Sequence, residues 1–180
     1  MSRLRSTLLG TLVALVAAVA PAAAVTDGSG TREISSRAAL GRGIVSEINA
    51  LRAKRGLPHL VVSAQLATAA RTHSRRMALA GFFAHETENG TPFGDRVRRY
   101  YRSAGFRSWR AGENLLWASP DIDAKRAVEM WLDSPGHRRI LLTPAWREIG
   151  LSAVHTASAP RVFDGLEVTI VTADFGARVR

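Results

Sequence analysis

Trp131-Leu132-Asp133-Ser134-Pro135-Gly136-His137-Arg138-Arg139-Ile140-Leu141-Leu142 is the stretch on which the reading of this 180-residue chain turns. Ser134 is a residue type that caps helices and Pro135 suits the first helical position, so a short helix is expected to begin there with His137 in its first turn. The positive end of a helix dipole opposes a second positive charge. His137 is therefore expected to be neutral at pH 7, the form that binds a metal or accepts a proton. Upstream, Ala124, Ala127, Val128 and Trp131 follow the i, i+3, i+4, i+7 pattern of an amphipathic helix, and Ser119-Pro120-Asp121 reads as its start.

Three further helices precede this one. Leu40, Ile44, Ile48 and Leu51 recur at helical spacing until Gly56 and Pro58, which places the first over about Arg37 to Arg55. Ser63 can cap a second, carrying Leu66, Ala69, Ala70, His73 and Met77 on one face and closed by Gly81. Thr91-Pro92 opens a third that runs through Phe93, Val97, Tyr100, Tyr101 and Ala104 to Gly105. Then the period changes: Ile149 to Val154 and Leu166 to Phe175 are rich in β-branched residues and bounded by turn-formers, so they read as strands, with Leu115 to Trp117 as a possible third. Helices followed by strands give an α+β domain in which helices cover an antiparallel sheet.

Composition narrows the chemistry. Without cysteine, a disulfide framework, a thiol nucleophile and a Cys-ligated metal are all ruled out. With 46% hydrophobic residues the chain can bury an ordinary core, and its length suits one domain. Residues 1–24 read as a secretory signal peptide: Arg3 and Arg5 form the basic region, Leu8 to Ala20 the apolar one, and Pro21-Ala22-Ala23-Ala24 the cleavage site. The apolar run is too short to span a bilayer as a helix. Residues 25–35, rich in Gly, Ser and Thr, read as a flexible tether, leaving 36–180 as the domain. A secreted or extracytoplasmic location follows. Loss of Arg3 and Arg5 lowers the formal charge from +10 to +8.

Polar residues near the element ends carry the functional signal. His85 follows Gly81-Phe82-Phe83-Ala84 in the loop after the second helix, a setting for a ligand or an acid/base. Glu113 in Ala111-Gly112-Glu113-Asn114 is a carboxylate at the mouth of a strand, where Gly112 admits close backbone approach. His73, on an apolar stripe, is read as a core or rim residue, and His155 as incidental. His85-Glu86-Thr87-Glu88-Asn89 lacks the second His of a zincin helix. No nucleophile elbow or phosphate-binding loop occurs. Glu113 with Asp133 or Glu148 has the composition of a glycosidase pair, but spacing along the chain does not give their separation. Arg96, Arg98, Arg99, Arg102, Arg107 and Arg110 interleave with Tyr100, Tyr101, Phe106 and Trp109. A solvated basic face outranks nucleic-acid binding for this run, because the tyrosines hold helical core positions and arginine far outnumbers lysine throughout. For an exported protein, envelope polymers and lipid head groups are the nearer polyanions.

Five ordered segments, GFFAH (81–85), TPF (91–93), AGEN (111–114), WLDSPGHRRILL (131–142) and WREIG (146–150), resemble bacterial members of the CAP superfamily, the SCP/TAPS proteins. The resemblance covers roughly residues 44–176. It implies a three-layer α-β-α sandwich with a central antiparallel sheet and a cleft lined by two His and two acidic residues. His85, Glu113 and His137 match three of these, Asp133 is the nearest carboxylate to the fourth position, and Glu148 fits the bacterial pattern. The His85–His137 pair is implied to hold zinc or another divalent cation, weakly, since enzymatic zinc sites generally use three protein ligands. Val171-Thr172-Ala173-Asp174-Phe175-Gly176 stands where relatives carry W-T-Q-x-F-G. The function expected is a non-catalytic extracellular binding module for a lipid, glycan, peptide or anionic envelope polymer. The alternative is a peptidase or cell-wall glycosidase using His85, Glu113 and His137.

Overall fold

In the computed structural model, residues 33–180 are described; the segment read as a signal peptide and most of the tether lie outside them. The elements in order are β1 (Ser35–Ser36), α1 (Ala38–Ala53), β2 (Val61–Val62), α2 (Ala64–Ala80), α3 (Phe93–Arg98), β3 (Ser108–Ala118), α4 (Ala124–Asp133), α5 (Pro135–Leu141), β4 (Glu148–Thr156) and β5 (Val168–Val179), with a single 3-10 turn at Arg161–Phe163. The sheet order is β1-β4-β5-β3, antiparallel throughout, and β2 adds to β4 in parallel. β3 is thus an edge strand. Strand pairing already begins at Ser35, opposite His155.

Alternation along the strands assigns each residue to a face. Leu116, Ile149, Val171, Ala173 and Phe175 face α1, α4 and α5 and build the larger apolar core with Ile44, Ile48, Val128, Trp131 and Leu141. Thr172 and the residues in register with it face α2, whose Ser74 hydroxyl donates to the Thr172 hydroxyl at 2.8 Å. Two helical layers sandwich one sheet, the α+β architecture expected.

Helix ends follow from local chemistry. Ser63 caps α2 by accepting from the Leu66 N–H, and Gly81 ends it in the left-handed region (φ +69°), its N–H returning to Met77 O. A side chain at 81 would also meet the Pro160 carbonyl oxygen at 2.4 Å. Asn49 on α1 pins the following loop by bonding both backbone groups of Leu60. Buried Arg52 donates to the carbonyls of Pro58, Leu141 and Thr143, tying the end of α1 to the last turn of α5.

Three boundaries differ from the sequence expectation. The third helix stops at Arg98 rather than near Gly105, because the Tyr100 and Tyr101 N–H groups both turn back to Val97 O and Tyr101 leaves the helix to bury its ring beside Gly176. The fourth starts at Ala124, where Asp123 Oδ1 accepts from the Arg126 N–H at 2.8 Å; Pro120 lies in the connection before it. Leu115 to Trp117 is the inner part of an eleven-residue strand paired with β5 over its full length, so Glu113 sits mid-strand and not at its mouth.

Candidate functional site

The site lies across the free edge of β3. On one side stand α3 and the loop after α2; on the other stands α5, held by the Asn114 Nδ2–H donating to His137 O at 3.1 Å. Between them is a cavity of about 510 Å3 that His85, Glu113 and His137 all line. Phe93 and Ile140 supply apolar walls, and Ser134, Gly136 and Arg139 complete the α5 side. Gly112 forms the floor: a Cβ there would come within 2.8 Å of the Trp146 ring.

Glu113 is almost wholly buried, with 3% of its surface exposed, and both its oxygens are occupied. Oε1 accepts from His85 Nδ1 at 2.8 Å, and Oε2 accepts from Arg96 Nη2. Arg96 comes from α3, is itself buried, and lies over the Phe93 ring at 5.3 Å. Across the β3–β5 register, Asp174 is directly opposite Glu113, and it is completely buried. Arg96 Nη1 approaches it at 3.9 Å, beyond hydrogen-bonding range. Two carboxyl groups therefore share one guanidinium in a closed space. Burial, then the negative charge of Glu113, pushes the Asp174 carboxyl well above the usual carboxylate range.

The three histidines near this cluster differ in state. The hydrogen bond to Glu113 raises the pKa of His85, with burial opposing. His137 is lowered by burial first and by the charge of His85 second, so the expected direction appears with a cause other than the helix dipole. His73, read from sequence as a core or rim residue, is buried beside the cluster and lowered to about 4, mainly by burial and then by Arg96. The neutral ring donates Nε2–H to Ala84 O at 2.8 Å and so fixes the residue preceding His85.

The expected acidic partners lie elsewhere. Asp133 is exposed at the end of α4 and does not line the cavity; the buried carboxyl beside Glu113 is Asp174. Placing Asp133 in the cleft is corrected on this point: the turn into α5 leaves its side chain in solvent. Glu148, at the start of β4, accepts from the Tyr101 hydroxyl and from Arg178 Nη2 at 3.0 Å, a structural clamp away from the cavity. Sequence reasoning missed Arg96 and Asp174. A carboxylate inside the strand-like run Leu166 to Phe175 was the available signal, since buried charge needs a partner.

For a divalent cation the donor set is two imidazoles. Because Glu113 takes the Nδ1–H of His85, the Nε2 lone pair is left free, the carboxylate–histidine arrangement common behind metal ligands. Glu113 itself has no oxygen to spare. Among the described residues no group of three or more His, Asp and Glu is placed to hold an ion. The cavity thus offers at most two imidazole ligands, fewer than the three protein ligands of catalytic zinc sites.

The family model for CAP, the cysteine-rich secretory protein family, matches residues 45–175. The chain belongs to the CAP family. Over 143 residues it is 32% identical to uncharacterized protein YkwD of Bacillus subtilis (strain 168), covering 79% of this chain and 53% of that protein. The chain thus spans about half the length of that relative. Among solved structures it is similar to an extracellular SCP-domain protein from Bacillus anthracis str. Ames, with TM-score 0.59, 28% identity, and coverage of 78% of this chain and 41% of that one. It is also similar to an outer surface protein from Borrelia burgdorferi, with TM-score 0.63 and 26% identity over 82% of this chain and 98% of that one. No helix among the described residues is long and apolar enough to cross a membrane. Four of the five sequence segments, GFFAH, TPF, AGEN and WLDSPGHRRILL, supply the residues that meet at the cavity.

Proposed function

We propose that this CAP domain is a non-catalytic extracellular binding module whose cleft takes an acidic glycan or peptide and holds a divalent cation weakly between His85 and His137. The observation that carries the reading is the double occupation of Glu113. With both oxygens bound to His85 and Arg96, this carboxylate orients an imidazole and is not poised as a base facing the cavity. Arg139 at the rim has no carboxylate partner among the described residues, and Phe93 and Ile140 offer an apolar wall for a sugar ring or side chain. A cation bound there would supply a Lewis-acid contact to a ligand oxygen. The extracellular assignment is supported by the signal-like N-terminus and by the extracellular and outer-surface relatives.

Zinc titration calorimetry on the full chain, beside His85→Ala and His137→Ala, tests the metal arm. One saturable site, lost in both variants and weakened by mild acid, is the expected result. Equal heats in all three proteins would remove it. Turnover of peptide or peptidoglycan panels by the wild type, lost in Glu113→Gln while zinc binding persists, would replace the module with a hydrolase.

A further inference from the structure

The connection from Arg96 to Arg110 contains six arginines and no carboxylate. Arg96 is consumed by the buried cluster, while Arg98, Arg99, Arg102, Arg107 and Arg110 are exposed. Strand pairing brings the end of β5 beside them. Ser108 is opposite Val179 and Trp109 opposite Arg178, and Arg107 donates its N–H to Val179 O and its Nε–H to Arg180 O. Arg178 and Arg180 thereby join the same end of the sheet. Asp95 answers Arg98 and Glu148 answers Arg178, but among the described residues Arg99, Arg102 and Arg110 meet no carboxylate, hydrogen-bond acceptor or ring.

The aromatic residues of this end are already covered. Arg98 lies over Trp109 at 4.9 Å, Arg178 over Tyr101 at 4.0 Å and Phe106 at 4.7 Å, and Arg180 over Phe106 at 5.8 Å. Stacking holds these guanidinium groups in place, and Arg98 and Arg178 also give N–H groups to Asp95, Glu148 and Gln65. The same stacking takes the ring faces that a nucleobase would need. A lipid surface is a poor match as well, because Val179 is the one large apolar side chain exposed here among the described residues, and surface-seeking segments present several. What this end offers is the free guanidinium groups of Arg99 and Arg102 after α3 and of Arg110 on the opposite face of edge strand β3 from Trp109, without apolar or stacking readout. That suits a flexible chain of regularly spaced oxyanions, and the bidentate fork matches the two non-bridging oxygens of a phosphodiester.

We propose that the Arg98–Arg110 connection and the end of β5 form a docking surface for a linear, base-free phosphodiester polymer of the cell envelope. This surface is separate from the cleft: Arg99, Arg102 and Arg110 line no part of it. Retention at the cell wall through this surface would leave the cleft free to take its own ligand.

The test is binding of the full chain to immobilised poly(glycerol phosphate) across about 50 to 200 mM salt. The proteins compared are wild type, an Arg99→Gln/Arg102→Gln/Arg110→Gln variant, and a control with the same charge removed elsewhere, Arg42→Gln/Arg55→Gln/Arg161→Gln. All six side chains make no hydrogen bond, ion pair or ring contact among the described residues, so folding is preserved, and zinc titration of the cleft gives an independent check of it. The first variant should lose about tenfold in affinity, and its slope of log K against log salt should fall by about two units, at ~0.7 per phosphate contact. The control should change less than about threefold on the same scale. Equal losses in variant and control would reduce the effect to net charge and overturn the proposal. So would tighter binding to single-stranded DNA, to phosphatidylglycerol vesicles or to polygalacturonate than to the phosphodiester polymer.

Discussion

One face of the sheet packs an apolar core, while the other carries a cluster of buried polar and charged groups beside a smaller apolar one. Toward α1, α4 and α5 the strands present Leu116, Ile149, Val171, Ala173 and Phe175, an apolar surface that tolerates a change of shape at modest cost. Toward α2 and α3 the same strands present Glu113, Asp174, Thr172 and Glu148, joined there by Arg96, His73, Ser74 and Tyr101. That second face mixes these polar pairs with a smaller apolar cluster, in which Leu115, Val154, Val168 and Ile170 pack against Met77 and Ala78 of α2. Apolar packing is summed from many small contacts, whereas a buried charge network depends on each member having its counterpart. Six of the nine buried side-chain atoms without a hydrogen-bond partner among the described residues belong to His73, Arg96, Asn114 and Asp174, beside or behind Glu113. Polar atoms left unpaired in this way carry an unmet desolvation cost, concentrated around Glu113.

The sharpest way to break the comparison is Arg96→Met. It strands two buried carboxyl groups, and urea unfolding should show a loss of about 3–5 kcal/mol, the usual consequence of removing one partner of a buried ion pair. Phe175→Leu on the opposite face should cost less than about 1.5 kcal/mol. Adding Asp174→Asn to Arg96→Met should leave the loss nearly unchanged, because burial and the neighbouring Glu113 already oppose charge on the Asp174 carboxyl. A large rescue would mean that Asp174 carries the negative charge.

His73 sharpens it next. Its folded pKa of about 4 lies below the unfolded value of 6.5, so the unfolded chain takes up the proton first and stability falls as pH drops through that window. A shift of this size corresponds to about 3 kcal/mol between pH 7 and pH 4. His73→Gln should flatten the fall over that interval in chemical denaturation measured at stepped pH. An unchanged slope would assign the acid sensitivity to other groups.

How legible this was depends on which physical signal each residue leaves in the sequence. Capping and periodicity gave α1, α2 and α5 because Ser63, Gly81 and Pro135 act locally. The early end of α3 was not readable, since Tyr101 is drawn away by a contact with Glu148 from a strand 47 residues later. His85, Glu113 and His137 could be named because they stand at element ends or beside glycine. Arg96 and Asp174 could not, one looking like part of a solvated arginine run and the other like a strand residue. Yet Val171-Thr172-Ala173-Asp174-Phe175 alternates apolar and polar strictly, and a polar stretch on one buried face of the sheet was written there.

A smaller effect separates the two cleft imidazoles. His85 is raised, so its charged pair with Glu113 contributes stability that is present below about pH 6.5 and is lost as pH rises through the folded value. His85 is half exposed, which holds the contribution under about 1 kcal/mol. NMR titration of the ring protons should place His85 above and His137 below the ordinary imidazole value of about 6.5. In Glu113→Gln the order should collapse, with His85 moving down because its largest raising interaction is lost while burial and Arg96 remain. Retention of the split would show that Glu113 is not its source.

The smallest effect belongs to Asp133. As an exposed carboxylate at the end of α4 it touches neither Glu113 nor the cavity, and Asp133→Asn should change stability by no more than about 0.5 kcal/mol, as is usual for surface substitutions. Zinc affinity and the His85 titration should stay where they are. Asp174→Asn, by contrast, alters the wall of the network and should move the His85 titration, through the changed hydrogen bonding of Glu113, even where stability is kept. If Asp133→Asn moved the titration and Asp174→Asn did not, the second acidic partner of the cleft would be the residue the motif spacing pointed to, and the polar face of the sheet would end at Arg96.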